Sequence, residues 1–238
     1  MKFISAMVAL CALATPLHAQ GFEASRLTLE FYSASEEGDV ETSYATALGD
    51  TSYLFLPQVG LQLGIAGSAQ LSASQEFLEE DTAYAFSAHG FYDVMPDLRL
   101  GLLLGVDTYD DGSFLTAIEG IYLTGPTRVE GRLGSYTSDE DPATLIEASS
   151  SYLVTNELDI RGAYQRLNYE EGTGHFSLAS IGAGYRVTDT VTGYGSIGAI
   201  TNDFGGGESY SGTQLTVGVN IAIGSRPTPM MFTFNPFF

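Results

Sequence analysis

Cysteine and lysine are almost absent from this chain of 238 residues, which excludes several kinds of chemistry. The single copies, Lys2 and Cys11, lie in an apolar segment that begins the chain and ends in Pro16-Leu17-His18-Ala19. One positive charge followed by such a run is typical of a secretory signal peptide, here residues 1–19. Without that segment the chain has no thiol, so a disulfide scaffold, thiolate catalysis and a cysteine-ligated metal are excluded.

Positive charge is scarce throughout the sequence. The nine basic residues less Lys2 leave eight arginines, against 29 Asp and Glu, and the whole chain has a formal net charge of −20. Binding of nucleic acid requires a basic surface that neutralises phosphates. We therefore expect no nucleic-acid partner.

Long apolar runs are also missing beyond residue 19. A membrane helix needs about 20 consecutive apolar residues, so residence in a membrane would have to use strands. The composition includes 28 glycines, 14 tyrosines and 14 phenylalanines but only 8 prolines. Together with the lack of a helical period, it favours a single all-β domain.

The clearest strand pattern occupies residues 213–224, where aliphatic side chains alternate with small or polar ones. The aliphatic positions are Leu215, Val217, Val219, Ile221 and Ile223. About ten residues of this pattern match a tilted strand that crosses a bilayer, with lipid on one face and a polar lumen on the other.

Similar alternation recurs along the chain and predicts twelve strands. Segment 41–56 contains Gly49-Asp50 and is interpreted as one long strand with a bulge. The predicted strands are residues 26–32, 41–56, 59–73, 82–92, 98–106, 114–123, 128–136, 144–153, 158–169, 175–187, 191–200 and 213–224.

The connections between these strands alternate between long acidic segments and short turns, as in a barrel that crosses a membrane. An even number of strands lets the first pair with the last, so no unpaired edge is left in lipid. The sequence therefore predicts a closed antiparallel up-and-down transmembrane β-barrel over residues 20–224. A soluble β-sandwich or lipocalin-like barrel would also alternate, but it gives no reason for strictly alternating connection lengths.

The signal-like start, the glycine- and aromatic-rich strands and the terminal Phe238 resemble a bacterial outer-membrane β-barrel protein of the small porin-like kind. This architectural resemblance covers residues 26–224. It implies location in the cell outer membrane, contact with outer-membrane lipids and lipopolysaccharide, and the barrel insertion machinery as a partner. The oligomeric state is left open.

The C-terminal aromatic tail, residues 225–238, departs from that resemblance because it runs beyond the last predicted strand. Pro227, Pro229 and Pro236 disfavour a thirteenth strand. The tail either hangs in the periplasm or folds back against the barrel base. Inside the lumen it would act as a plug.

Charged side chains fall mainly on the face predicted to point into the barrel, because a charge facing lipid at mid-depth costs about 2–4 kcal/mol. They would form either a constriction whose transverse field orients polar solutes or ion-pair ladders that fill a narrow lumen. The predicted lumen residues are Arg26, Glu30, Arg99, Asp107, Glu119, Arg128, Glu130, Arg132, Glu147, Asp159, Arg161 and Arg186. His89 is also predicted to face the lumen, without a visible partner.

Carboxylates are concentrated in the long connections, where they form either a solvated rim or a site for divalent cations. No segment has the ordered spacing of a calcium loop, so we predict no metal and no cofactor. The residues concerned are Glu36, Glu37, Asp39, Glu79, Glu80, Asp81, Asp110, Asp111, Asp139, Glu140, Asp141, Glu170 and Glu171.

His175 and Ser177 lie two residues apart on one predicted strand face, near a long connection. They resemble the His-x-Ser element of outer-membrane phospholipases and lipid A deacylases, which implies a histidine that acts as general base toward the serine. Those families continue with asparagine, whereas Leu178 follows here. We predict no catalytic residue and keep a chance pair as the simpler interpretation. Arg166 also falls on the predicted outer face near a loop end, where it would either meet a lipid phosphate or indicate a bulge or a different register of the strand.

The sequence as a whole predicts a porin-like channel for the passive passage of small polar solutes or ions, with no catalysis. One alternative is a structural or lipid-interacting barrel with a plugged lumen. The other is a lipid hydrolase that uses His175 and Ser177.

Overall fold

A computed structural model of the chain describes residues 22–36, 40–72, 82–108, 112–137, 142–169, 174–203, 209–224 and 231. Almost all of them lie in twelve strands. These are β1 (Phe22–Glu36), β2 (Val40–Leu56), β3 (Val59–Ser72), β4 (Thr82–Met95), β5 (Leu98–Asp107), β6 (Ser113–Thr124), β7 (Thr127–Thr137), β8 (Ala143–Leu153), β9 (Leu158–Tyr169), β10 (His175–Arg186), β11 (Val191–Asp203) and β12 (Ser209–Ile223). Within these ranges no helix is long and apolar enough to span a bilayer.

The strands form one closed barrel in which each pairs with its sequence neighbours and β1 pairs with β12. The closing pair is antiparallel and places Leu29 opposite Val219 and Phe31 opposite Val217. Closure satisfies the backbone groups of both terminal strands, which an open sheet would leave unpaired in lipid. The predicted closed antiparallel barrel is confirmed.

Aliphatic and aromatic side chains cover the outer face of the barrel. In β5, Leu100, Leu102 and Leu104 point outward, and Leu102 is 64% exposed. A continuous apolar surface that extends around the barrel is stable only where lipid covers it. The alternation read from the sequence therefore places lipid-facing side chains outside and their neighbours in the lumen.

Several strands differ in detail from the sequence prediction. β2 passes regularly through Gly49, opposite Ile65, and Asp50, opposite Gly64, and its register shifts against β3 lie near its two ends. Asp50 does not interrupt the strand because its carboxylate faces the lumen and forms an ion pair with Arg26. β1 extends four residues further at each end than predicted, into part of the acidic segment expected to be a loop.

Short turns connect the strands at one end of the barrel, at residues 57–58, 96–97, 125–126, 154–157 and 187–190. β1 begins and β12 ends at this same short-turn end, where Ser25 lies opposite Ile223. The strand ends that the longer connections join lie at the opposite end of the barrel, called the long-connection end below. This arrangement follows from the even number of strands.

Candidate functional site: the barrel lumen

The lumen contains a tightly packed half, lined mainly by β2 to β6, and a more open half, lined by β8 to β12 and the adjoining parts of β1 and β7. Leu48, Leu103 and Leu115 point inward in the packed half and are almost fully buried. They belong to one apolar cluster with Ala66, Ala85, Ala117 and Leu145. An apolar layer of this kind excludes water and closes that half of the barrel.

A buried ionic network lies beside this apolar layer. The Nδ1 atom of His89 is 2.6 Å from Oε1 of Glu119, and its Nε2 atom is 3.2 Å from the Ser87 hydroxyl. Arg132 donates through Nη2 to Glu119, at 3.3 Å, and through Nη1 to Glu147, at 2.7 Å. His89 therefore has a partner that the sequence did not reveal, because Glu119 reaches it from the other side of β5.

A second ionic group lies near the short-turn end of the packed half. Arg99 donates to Asp93 at 2.6 Å and is 3.7 Å from Glu23. Its guanidinium also stacks over the ring of Phe91, with 3.8 Å between Cζ and the ring centroid. Because Arg99 is buried, these contacts replace the water that it loses.

Two adjoining cavities lie in the open half. The lower cavity, nearer the short-turn end, has a volume of about 360 Å³ and is lined by Arg26, Arg128, Glu130, Arg161 and Asn220, with serines of β8. The upper cavity has a volume of about 240 Å³, and its polar lining includes Glu30, Glu147, Gln165, Tyr194 and Gln214. Ser149 and Ala163 line both cavities, so the two adjoin along β8 and β9.

The arginines of the lower cavity are each paired with a carboxylate. Arg26 Nη2 is 3.0 Å from Asp50 Oδ2, and Arg161 Nη2 is 3.0 Å from Asp159 Oδ2. Arg128 pairs with Glu130 on its own strand. The lower cavity thus has a strongly polar wall in which positive and negative groups alternate.

A tyrosine and a glycine shape the upper cavity. Tyr194 donates its hydroxyl to Glu30, two strands away. Its ring crosses Gly218 on the intervening strand, where an added Cβ would lie 2.4 Å from the ring. Only glycine at this position lets the tyrosine lie flat against the wall and leave the cavity open.

The structure places the predicted lumen residues on inward-facing positions of their strands. Glu119, Arg132 and Glu147 come together in the buried network, and Arg99 lies apart from them. Asp107 meets Tyr136 toward the long-connection end. Arg186 lies exposed at the end of β10. A role for these residues in a constriction stays a prediction.

Several lumen residues were not singled out from the sequence. Asp50 falls in the segment interpreted as a long strand with a bulge, and Asp93 falls between two predicted strands. Gln62 and Tyr194 are inward-facing polar residues of regular strands, which strict counting of alternation in β3 and β11 could have found. Their partners depend on register between strands, which one sequence does not provide.

His175 and Ser177 face outward, as expected, near the long-connection end. His175 Nδ1 is 4.0 Å from Asp203 Oδ2 on β11, and Asn168 lies opposite His175 on β9. Within the described residues no hydrogen bond joins the imidazole to the Ser177 hydroxyl. Arg166 also faces outward and donates to Asn168 at 2.6 Å. The group is therefore polar and lipid-facing, but it lacks the base-to-nucleophile contact of a hydrolase.

Most of the acidic positions in the long connections lie outside the described residues, as do residues 1–19 and all of the C-terminal tail except Met231. Among the residues that the structure does describe, no group of three or more His, Cys, Asp or Glu side chains could hold a metal ion.

Comparison with known proteins found similarity to solved structures only. No family model and no curated protein matched the chain. The chain is similar to the KdgM porin, at 11% identity and a TM-score of 0.58 over 82% of this chain and 98% of that one. It is also similar to the NanC porin, at 7% identity and a TM-score of 0.61 over 81% and 98%. An outer-membrane channel from Pseudomonas putida F1 gives 8% identity and a TM-score of 0.63 over 86% and 96%.

These likenesses, at low identity, concern the fold. They agree with the lipid-facing apolar surface and the closed twelve-stranded sheet described above. The chain therefore has the closed β-barrel fold of small outer-membrane porins and channels, which confirms the architecture predicted from the sequence.

Proposed function

We propose that the protein is a porin-like channel for the passive passage of small polar solutes or ions along the open half of the lumen. The observation that carries this proposal is the pair of cavities that adjoin at Ser149 and Ala163. Polar side chains line both cavities, whereas the other half of the lumen is filled.

The cavity volumes limit the size of the solute. Volumes of about 240 and 360 Å³ are comparable to those of small-molecule sites and are far larger than a single water molecule needs. Because side chains of β2 to β6 fill the rest of the lumen, the passage is narrower than the twelve-stranded wall alone would allow. We therefore propose solutes with few heavy atoms rather than oligomers.

The arrangement of charge favours neutral or zwitterionic solutes. Arg26, Arg128 and Arg161 of the lower cavity are each paired with a carboxylate, and Glu147 of the upper cavity is paired with Arg132. Both cavities are therefore polar, with their charges locally compensated. KdgM has been solved in complex with a disordered oligogalacturonate. The lower-cavity arginines of this protein are already paired with carboxylates. We therefore do not propose an acidic solute for it.

A structural barrel with a plugged lumen is the second candidate, because the apolar cluster around Leu103 already closes one half. Conductance in planar lipid bilayers separates the two functions. A channel predicts resolved steps with a linear current–voltage relation. If the folded barrel, verified by its heat-modifiable migration on gels, gives no steps, the structural function stands and the channel does not. The proposal assigns no catalysis to His175 and Ser177, because no hydrogen bond joins them within the described residues.

A further inference from the structure

Met231 lies beyond the end of β12 in the sequence, yet it is enclosed by residues of β1, β3, β4 and β6 inside the barrel. Its relative exposure is 0%. It is the one residue of the C-terminal tail that the structure describes. Its contacts therefore show how this one residue, outside the strands, is held in the lumen.

Gln62 binds the backbone of Met231 at two points. The backbone N–H of Met231 donates to Gln62 Oε1 at 2.8 Å, and Gln62 Nε2 donates to the carbonyl of Met231 at 3.3 Å. Arg26 Nη2 donates to the same carbonyl at 3.2 Å. A side-chain amide matches a peptide group in both donor and acceptor, so this arrangement recognises a backbone rather than a particular side chain.

Asp50 holds the two residues that bind this backbone. It accepts from Gln62 Nε2 at 3.2 Å and from Arg26 Nη2 at 3.0 Å. Gln62 is fully buried, so its amide could not exchange these partners for water without rearrangement. The polar part of the site is therefore fixed by the barrel wall.

The side chain of Met231 has its own complementary pocket. It packs against Phe91 and Ile121, and a Cβ added at Gly101 would lie 2.7 Å from its terminal methyl group. Glycine at position 101 thus leaves the space that the methionine fills. Gln62, Arg26, Phe91, Ile121 and Gly101 are called the Met231 seat below.

We propose that the Met231 seat is a peptide-binding site in the lumen, and that its occupation by the chain's own Met231 narrows the channel. Its ligand class is a peptide backbone that carries a medium-sized apolar side chain. Arg26 connects the seat to the passage, because it contacts Met231 and also lines the 360 Å³ cavity. The effect on conduction rests on the proposed channel function, whereas the binding itself does not.

Thiol labelling of the full chain tests the binding. Met231→Cys is placed in a chain with Cys11→Ser, refolded in detergent micelles, and treated with a polyethylene-glycol maleimide whose addition is followed on gels. The seat predicts slow labelling of the folded barrel. Adding Gln62→Leu removes both hydrogen bonds between the amide and the Met231 backbone. The labelling rate should then rise about tenfold, because the net free energy of roughly one hydrogen bond is lost.

Gln214→Leu is the matched control, because Gln214 is also a buried inward-facing glutamine but does not contact Met231. It should leave the labelling rate unchanged. Labelling as fast as in urea-unfolded protein would overturn the proposal, and so would equal rates with and without Gln62→Leu.

Conductance then tests the narrowing. Met231→Pro removes the N–H that Gln62 accepts without altering any strand, and Met231→Leu keeps both the N–H and the volume. We expect a larger unitary conductance for Met231→Pro than for Met231→Leu. Equal conductances would contradict the proposal that Met231 narrows the passage, without contradicting the channel function. If no variant gives a current, both the channel function and the narrowing of the channel by Met231 are contradicted. Slow labelling of the folded barrel would still show that Met231 binds in the Met231 seat.

Discussion

Arg132 lies directly opposite Glu119 in the ladder between β6 and β7, and its Nη2 atom is 3.3 Å from Glu119 Oε2. The side chains are 2% and 0% exposed, so neither charge is screened by water. The same guanidinium also binds Glu147 on β8. One cation thus compensates two carboxylates inside the barrel.

Replacing Arg132 should therefore destabilise the barrel strongly. Arg132→Met keeps much of the volume but leaves Glu119 and Glu147 without their cation, at an expected cost of about 3–5 kcal/mol. Urea unfolding of the protein in lipid vesicles measures this cost. Arg166→Met, on the outer face, should cost no more than about 1 kcal/mol. Similar losses for both variants would mean that the buried network does not stabilise the fold.

Closure of the barrel depends on β12, which pairs with β11 and β1 at once. Val219 lies opposite Gly193 on one side and Leu29 on the other. Val219→Pro removes a ladder donor in the middle of this strand, so we expect the barrel to lose its resistance to SDS in unboiled samples. Val219→Thr keeps the backbone donor and the β-branched shape and should migrate as the original protein does. Retained resistance in the proline variant would contradict closure through this pair.

Ion selectivity should respond in opposite directions to changes in the pair formed by Arg128 and Glu130 in the lower cavity. Arg128→Gln leaves Glu130 uncompensated and should shift the reversal potential in a salt gradient toward cation preference. Glu130→Gln should shift it toward anions. Both shifts should shrink at high ionic strength, where charges in a wet lumen are screened. Shifts of the same sign would show that ions do not pass this pair.

The sequence was sufficient for the architecture because the alternation of residues such as Leu98 to Val106 depends only on which face meets lipid. It could not show that Leu103 closes part of the lumen. In the run from Leu102 to Leu104 both faces are apolar, and the pattern does not distinguish a packed interior from an open one. The sequence therefore left open whether the lumen is open or filled.

The hydrogen-bond and ion-pair partners of the lumen side chains could not be predicted from the sequence, for a different reason. His89 and Glu119 belong to strands on either side of β5, so their contact depends on two successive registers. The seat for Met231 further requires the path of a segment that has no strand periodicity. The sequence predicted that charged side chains occupy inward-facing positions, but it did not predict which of them form ion pairs with one another.

Passage through the open half is tested most directly by blocking it from inside. Ala163 lines both cavities, whereas Ala179 on the neighbouring β10 is exposed on the outer face. Tryptophan at each position adds the same volume, into the passage at 163 and into lipid at 179. Unitary conductance in planar bilayers should fall severalfold for Ala163→Trp and stay unchanged for Ala179→Trp. Equal conductance of the two folded variants would contradict passage along β8 to β12.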